Sequence, residues 1–154
     1  MTTEPDEHGQ AGPTTPGSDP RPEITAAVTR GAASLLIDMG YAPFAELTLP
    51  NGRRADIVGL SDKGDIIMVE VKSCRADFDV DNKWPEYKDY CDQFFFAVSE
   101  DFDTDLLPGD EGLIIADGFG GAVIREAITS RLAGARRKTV LIRLARQASF
   151  RTQT

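Results

Sequence analysis

Three charged residues lie inside stretches otherwise made of Ile, Val and Met: Asp56 in Arg54-Ala55-Asp56-Ile57-Val58, and Glu70 and Lys72 in Val69-Glu70-Val71-Lys72. Burying an unpaired charge is costly, so strands that keep such groups have a reason to do so. Side chains alternate along a strand, which puts Glu70 and Lys72 on one face. Gly64 suits the left-handed position that closes the hairpin loop Asp62-Lys63-Gly64. That loop sets Ser61 opposite Asp65 and, counting back, Asp56 opposite Glu70, with β-carbons roughly 4.5–5.5 Å apart. Two carboxylates that close need a cation or a proton between them. Oxygen ligands completed by water and a phosphate suit Mg²⁺, with Mn²⁺ as the alternative ion. The expected chemistry is phosphodiester hydrolysis: the metal polarises the phosphodiester and acidifies a bound water. Lys72 would hold that water or stabilise charge developing on phosphorus. Glu46, in Ala45-Glu46-Leu47 on the neighbouring strand, is expected as an extra ligand. A Glu-x-Lys triplet alone is more often a solvated face with an ion pair. The upstream Asp in matching register favours a site.

The elements that must position these groups are readable from periodicity and turn residues. Residues 1–22 hold five of the nine prolines and few large apolar residues, and are read as a disordered tail ahead of one domain over 23–154. A helix is expected over about 23–39, ending at Gly40. Strands are expected over 44–49 and 53–60, separated by Pro50-Asn51-Gly52, and over 66–72. Pro85 suits the first turn of a short helix over 84–92. Residues 94–98 and 113–116 read as buried strands, and Gly118-Phe119-Gly120-Gly121 as a turn into a strand over 122–124. A last helix or helix pair is expected over about 125–150. The order helix-strand-strand-strand-helix-strand, with further strands and a helix behind it, points to an α/β protein of the α+β kind, helices packed on a mixed sheet.

Composition excludes several chemistries. The only histidine, His8, lies in the Pro- and Gly-rich tail, so triads and histidine-dependent nucleases lack their imidazole. Two cysteines, Cys74 and Cys91, fit reduced thiols in a cytoplasm, and without histidine they make a poor zinc site. No apolar run approaches a membrane span, and no export signal opens the chain, so a cytoplasmic location with no membrane partner is expected. The net charge of −8 is divided unevenly: from Arg125 onward eight basic residues face Glu126 alone, a net of +7, leaving −15 on residues 1–124. That asymmetry points to an anionic partner for the C-terminal segment.

Several further residues carry two readings each. Arg53 and Arg54 flank the site strand, and Arg54, opposite Lys72 in the derived register, could neutralise phosphate or pair with a carboxylate. Lys83 and Lys88 could reach a phosphate or sit solvated on their helix. Asp77, Asp79 and Asp81 lack the glycine and closing Glu of a calcium loop; they could extend the metal site or cap the next helix. Trp84, Tyr87 and Cys91 share a helical face and should pack on the sheet. The acidic stretch 100–111 reads as a solvated loop. Arg136, Arg143, Arg146 and Arg151 fall on one helical arc opposite Leu141, Ala145 and Ala148, either a DNA-contacting face or plain surface.

The run Glu46-Leu47 to Asn51-Gly52-Arg53-Arg54-Ala55-Asp56, then Glu70-Val71-Lys72-Ser73, Asp77-Phe78 and Lys83-Trp84-Pro85-Glu86-Tyr87-Lys88-Asp89-Tyr90-Cys91-Asp92, resembles the bacterial MmcB family over about residues 23–150. The Arg-Arg-Ala-Asp and Lys-Trp-x-x-Tyr-x-x-Tyr-Cys-Asp stretches are far more specific than Glu-x-Lys. The resemblance implies a PD-(D/E)XK nuclease core of the restriction-endonuclease-like kind, with Ala55 where that motif usually has proline. It also implies a DNA substrate, a role in repair, and other repair proteins as possible partners. The expected function is a metal-dependent DNA endonuclease. A recruitment module that keeps the fold without cutting is its main rival, and a domain whose charged strand residues form an ordinary ion-pair network is a third reading.

Overall fold

Strand propensity and turn chemistry between residues 41 and 72 build the first half of one sheet. The computed structural model describes residues 19–74 and 84–153. Six strands lie in sequence order across the sheet: β1 (Tyr41–Thr48), β2 (Arg54–Ser61), β3 (Ile66–Val71), β4 (Gln93–Val98), β5 (Gly112–Ala116) and β6 (Gly121–Arg125). β1–β2, β2–β3 and β5–β6 are antiparallel, whereas β3–β4 and β4–β5 are parallel. The fold is therefore mixed α+β. Among the described residues its opening order is helix α1 (Arg21–Asp38), three strands, a short 3₁₀ helix (Trp84–Tyr90) and β4.

Every residue of β3 is buried, because layers cover both faces of the sheet. On one face Val28, Ala32 and Leu36 of α1 pack on Ile57, Ile67, Val69, Phe95 and Ile114. On the other, Tyr87, Cys91 and Val140 pack on Val58, Met68, Phe94 and Phe96. Val140 belongs to the C-terminal helix α2 (Gly134–Arg151). Trp84 stacks on Phe94 at 5.9 Å and meets Phe96 edge-on at 5.6 Å, so the expected packing face of the 3₁₀ helix is real. Full burial of one such aromatic side chain is worth about 1.5–3 kcal/mol. Gly31 lets α1 approach the β5–β6 turn, where any β-carbon would overlap the Asp117 carbonyl oxygen. Among the described residues no helix is long and apolar enough to cross a membrane.

Four expectations change. The element over Trp84–Tyr90 is 3₁₀ rather than α-helical, although Pro85 does occupy its first turn. Residues 126–133 are not helical; Ser130 N–H donates to the Asp92 carbonyl (2.8 Å), and Gln93 donates to that of Ala127 (3.2 Å). Those long-range bonds hold the stretch to the start of β4, and α2 begins only at Gly134. The acidic stretch 100–111 is not simply solvated, for Leu107 and Glu111 are both buried. Leu141 packs on the core as expected, but Ala145, expected on the same inner arc of α2, is exposed, and Val140 and Leu144 face the core with Leu141. The tail 1–18 and residues Asp77, Asp79, Asp81 and Lys83 lie outside the described residues.

Candidate functional site

Gly64 adopts φ +88°, Ser61 N–H donates to the Asp65 carbonyl (3.0 Å), and the β2–β3 ladder runs from Leu60↔Ile66 to Ile57↔Val69. One step further that register sets Asp56 level with Glu70, as the loop count expected. Here the ladder gives way. In continued register Val71 N–H would meet the Ala55 carbonyl; it donates instead to Asp56 Oδ2 at 2.8 Å. β4 still follows β3 on the other side, with Lys72 N–H on the Ala97 carbonyl at 3.0 Å. A carboxylate thus stands at the point where two central strands part.

Glu70 and Lys72 are 6% and 3% exposed, and Lys72 Nζ lies 3.9 Å from Glu70 Oε1. Desolvation at this depth makes such an ion pair costly to break, about 3–5 kcal/mol when one partner is removed. Glu46 has a left-handed backbone (φ 58°), is exposed, and lies between the pairs Ala45↔Ile57 and Leu47↔Ala55, level with Asp56. Its carbonyl accepts from Arg151 (2.7 Å). Among the described residues no three His, Cys, Asp or Glu side chains are grouped to hold a metal ion, so Glu46 is not gathered with Asp56 and Glu70 into such a group.

The flanking cations divide. Arg53 is ion-paired with Glu86 at 2.9 Å. Arg54 is exposed, and its carbonyl accepts from the Tyr87 hydroxyl at 3.2 Å. Lys88 is ion-paired with buried Glu111 at 2.8 Å. Arg136 covers the Tyr90 ring (4.8 Å to its centroid), and Arg146 covers Phe150 (5.4 Å). Arg143 lies half-buried between them in sequence.

The sequence reading missed Asp92, a buried carboxylate that accepts four hydrogen bonds. Its oxygens accept two bonds from Arg137, both 2.7 Å, one from Ile66 N–H (2.8 Å) and one from Leu132 N–H (2.9 Å). Burial pushes this carboxyl up. The hydrogen bonds from Arg137 and from the Ile66 and Leu132 amides outweigh that and hold it at about 2. A signal for it existed: Asp92 directly precedes an apolar strand, and Arg137 falls three residues before Val140 on the inner arc of α2.

A sequence profile described as DNA repair protein MmcB-like matches residues 13–154. No curated protein matches the chain significantly. Among solved structures, a protein of unknown function from Silicibacter pomeroyi is similar at 39% identity and a TM-score of 0.80, over 84% of this chain and 89% of that one. The specific Arg-Arg-Ala-Asp and Lys-Trp stretches therefore sit in a sequence matched almost end to end, and the chain belongs to the MmcB-like family of DNA repair proteins.

Proposed function

We propose that the protein is a metal-dependent DNA endonuclease acting in repair, with a PD-(D/E)XK site formed by Asp56, Glu70 and Lys72. The observation that carries this reading is the placement of Glu70 and Lys72, both buried, at the end of a fully buried strand where the Asp56 carboxylate replaces the ladder. A fold meets the cost of burying such charges where they serve chemistry or an ion-pair network. Two carboxylates level with each other on neighbouring strands are hard oxygen donors of the type and number that Mg²⁺ or Mn²⁺ takes alongside water. Asp56 and Glu70 would hold the ion, and exposed Glu46 would contribute through water. When bound, the ion supplies charge that polarises the phosphodiester and acidifies a water. Lys72 stabilises negative charge on the phosphoryl oxygens, and Arg54 contacts a neighbouring phosphate.

A second reading is favoured by the depth of Lys72: a cation only 3% exposed and 3.9 Å from Glu70 also suits a buried ion pair in a recruitment module that binds DNA without cutting. Wild type, Glu70→Gln and Lys72→Ala separate the two. Calorimetry with Mn²⁺ and cleavage of single-stranded, duplex, mismatched and branched DNA are measured on each, with a thermal melt as the folding control. The nuclease reading expects Glu70→Gln to lose metal affinity and cleavage together. Lys72→Ala should keep the metal while turnover falls about 10²-fold or more. Because Lys72 is buried, Lys72→Met is the control that fills its volume. A wild type that binds DNA, takes up no Mn²⁺ and cuts no substrate would leave the recruitment module standing.

A further inference from the structure

We propose that the outer stripe of α2 is a binding track for single-stranded DNA. This deepens the reading above, since it rests on DNA being the partner. Between Gly134 and Arg151 the helix carries six cations and no acid. They serve two purposes. Arg137 is committed to Asp92, and Arg151 to the Ala45 and Glu46 carbonyls and the Phe44 ring. Gln147 joins Thr48 through both ends of its amide, at 3.0 and 2.8 Å. That side of the helix is fastened to the protein.

The adjoining side is fastened at Arg136, whose guanidinium donates to the Asp89 carbonyl at 3.4 Å, and is open beyond it. Arg136, Arg143, Arg146 and Phe150 recur at intervals of seven, three and four, one stripe along a helix. Neither the Arg143 nor the Arg146 guanidinium makes a hydrogen bond or ion pair among the described residues. Charge complementarity alone would suit any polyanion. The aromatic rings narrow it. Phe150 is 62% exposed on a helix that is otherwise cationic on this side, and packing does not explain it. Its ring carries Arg146, and the Tyr90 ring carries Arg136. Aromatic and guanidinium planes alternating along a basic strip are what unpaired bases stack upon, whereas duplex bases are already stacked on each other. From Arg136 to Phe150 the strip rises roughly 21 Å. Its C-terminal end is tied to Glu46, level with Asp56 and two strand spacings, roughly 10 Å, from Glu70. A single strand laid on the stripe therefore leads toward the candidate site.

The test is fluorescence anisotropy of the full chain in EDTA, using labelled oligothymidine of about 20 nucleotides, the matched duplex and the matched RNA. The single DNA strand should bind more tightly than the duplex. Three phosphate contacts should give a slope of log K against log salt of about −2. Phe150→Leu, which keeps apolar volume without a ring, should lose about tenfold of single-strand affinity and leave duplex binding unchanged, and Phe150→Trp should retain it. The double change Arg143→Glu, Arg146→Glu should weaken binding and flatten the slope, with melting temperatures confirming the fold of each variant. Duplex bound as tightly as the single strand, unchanged affinity in Phe150→Leu, or tighter binding of RNA would each overturn the proposal. Binding without metal is read apart from cutting. Cleavage with an indifferent stripe sinks only the track, and a working track without cleavage sinks only the nuclease.

Discussion

Replacing Asp92 by Asn removes one charge and keeps the shape, and its effect follows from the four bonds that the carboxylate accepts. Arg137 supplies two, and the Ile66 and Leu132 amides supply one each, so every donor around the group points inward. An Asn Nδ2 at that position is a donor among donors. Asp92 and Arg137 side chains are only 4% and 18% exposed, so the stranded guanidinium cannot fully rehydrate. The expected loss at neutral pH is about 3–5 kcal/mol, the cost of breaking a buried pair from one side. The pH dependence gives a second measure. The carboxyl drops from an ordinary 3.8 to about 2 on folding. At about 1.4 kcal/mol per unit, this is worth about 2 kcal/mol. Since the folded value is the lower one, that stability is fully present above pH 4 and is lost as pH falls from 4 through 2. Urea unfolding of wild type and Asp92→Asn at intervals from pH 7 to 2 measures both quantities. The variant should unfold at lower urea at pH 7 and show a shallower decline below pH 4. Equal midpoints at pH 7 and parallel curves below pH 4 would refute the assignment of Asp92 as the anchor.

Asp56 separates charge from scaffold: Asp56→Asn keeps an acceptor for Val71 N–H and should hold stability while weakening Mn²⁺ binding in calorimetry. Asp56→Ala should also cost about 1–3 kcal/mol in a denaturant melt by leaving that amide without its acceptor. Gly31→Ala, a change that normally favours a helix by about 1 kcal/mol, should lower the melting temperature, because the added carbon meets backbone oxygen of Asp117 and Gly120. A raised melting temperature would show that α1 can move away from the β5–β6 turn.

Local chemistry carried much of the fold into the sequence. Gly40 and Gly64 both take the positive φ that marked them as a helix stop and a hairpin closure, and the hairpin count then set the level of Asp56 and Glu70. What stayed hidden depends on contacts distant in sequence. Residues 126–133 carry helix-compatible types, yet their path is decided by bonds to Asp92 and Gln93, more than thirty residues away. Lys88 carried two readings, a phosphate contact or a solvated helix lysine, and neither showed its ion pair, because nothing local announces that Glu111 is buried beside it. The depth of Glu70 and Lys72 was likewise not legible, since a strand residue two places from its neighbour shows which face it shares but not what covers that face.

β3 connects the two carboxylates and explains why they differ. Its first amide, Ile66 N–H, donates to Asp92, and its last, Val71 N–H, donates to Asp56, so one acidic side chain holds each end of the central strand. At the Asp92 end an arginine meets the carboxylate in a bidentate pair, and protein donors fill the places that a ligand would need. At the Asp56 end the level neighbour is another carboxylate, and the nearby buried cation is Lys72, beside Glu70. Acid beside acid is a poor way to stabilise a sheet and a good way to hold a divalent cation. The same residue type at two ends of one strand thus serves structure at one, and at the other would serve the chemistry proposed above. Both carboxylates bind the strand backbone alike, and at the Asp92 end the bidentate arginine marks the group as structural.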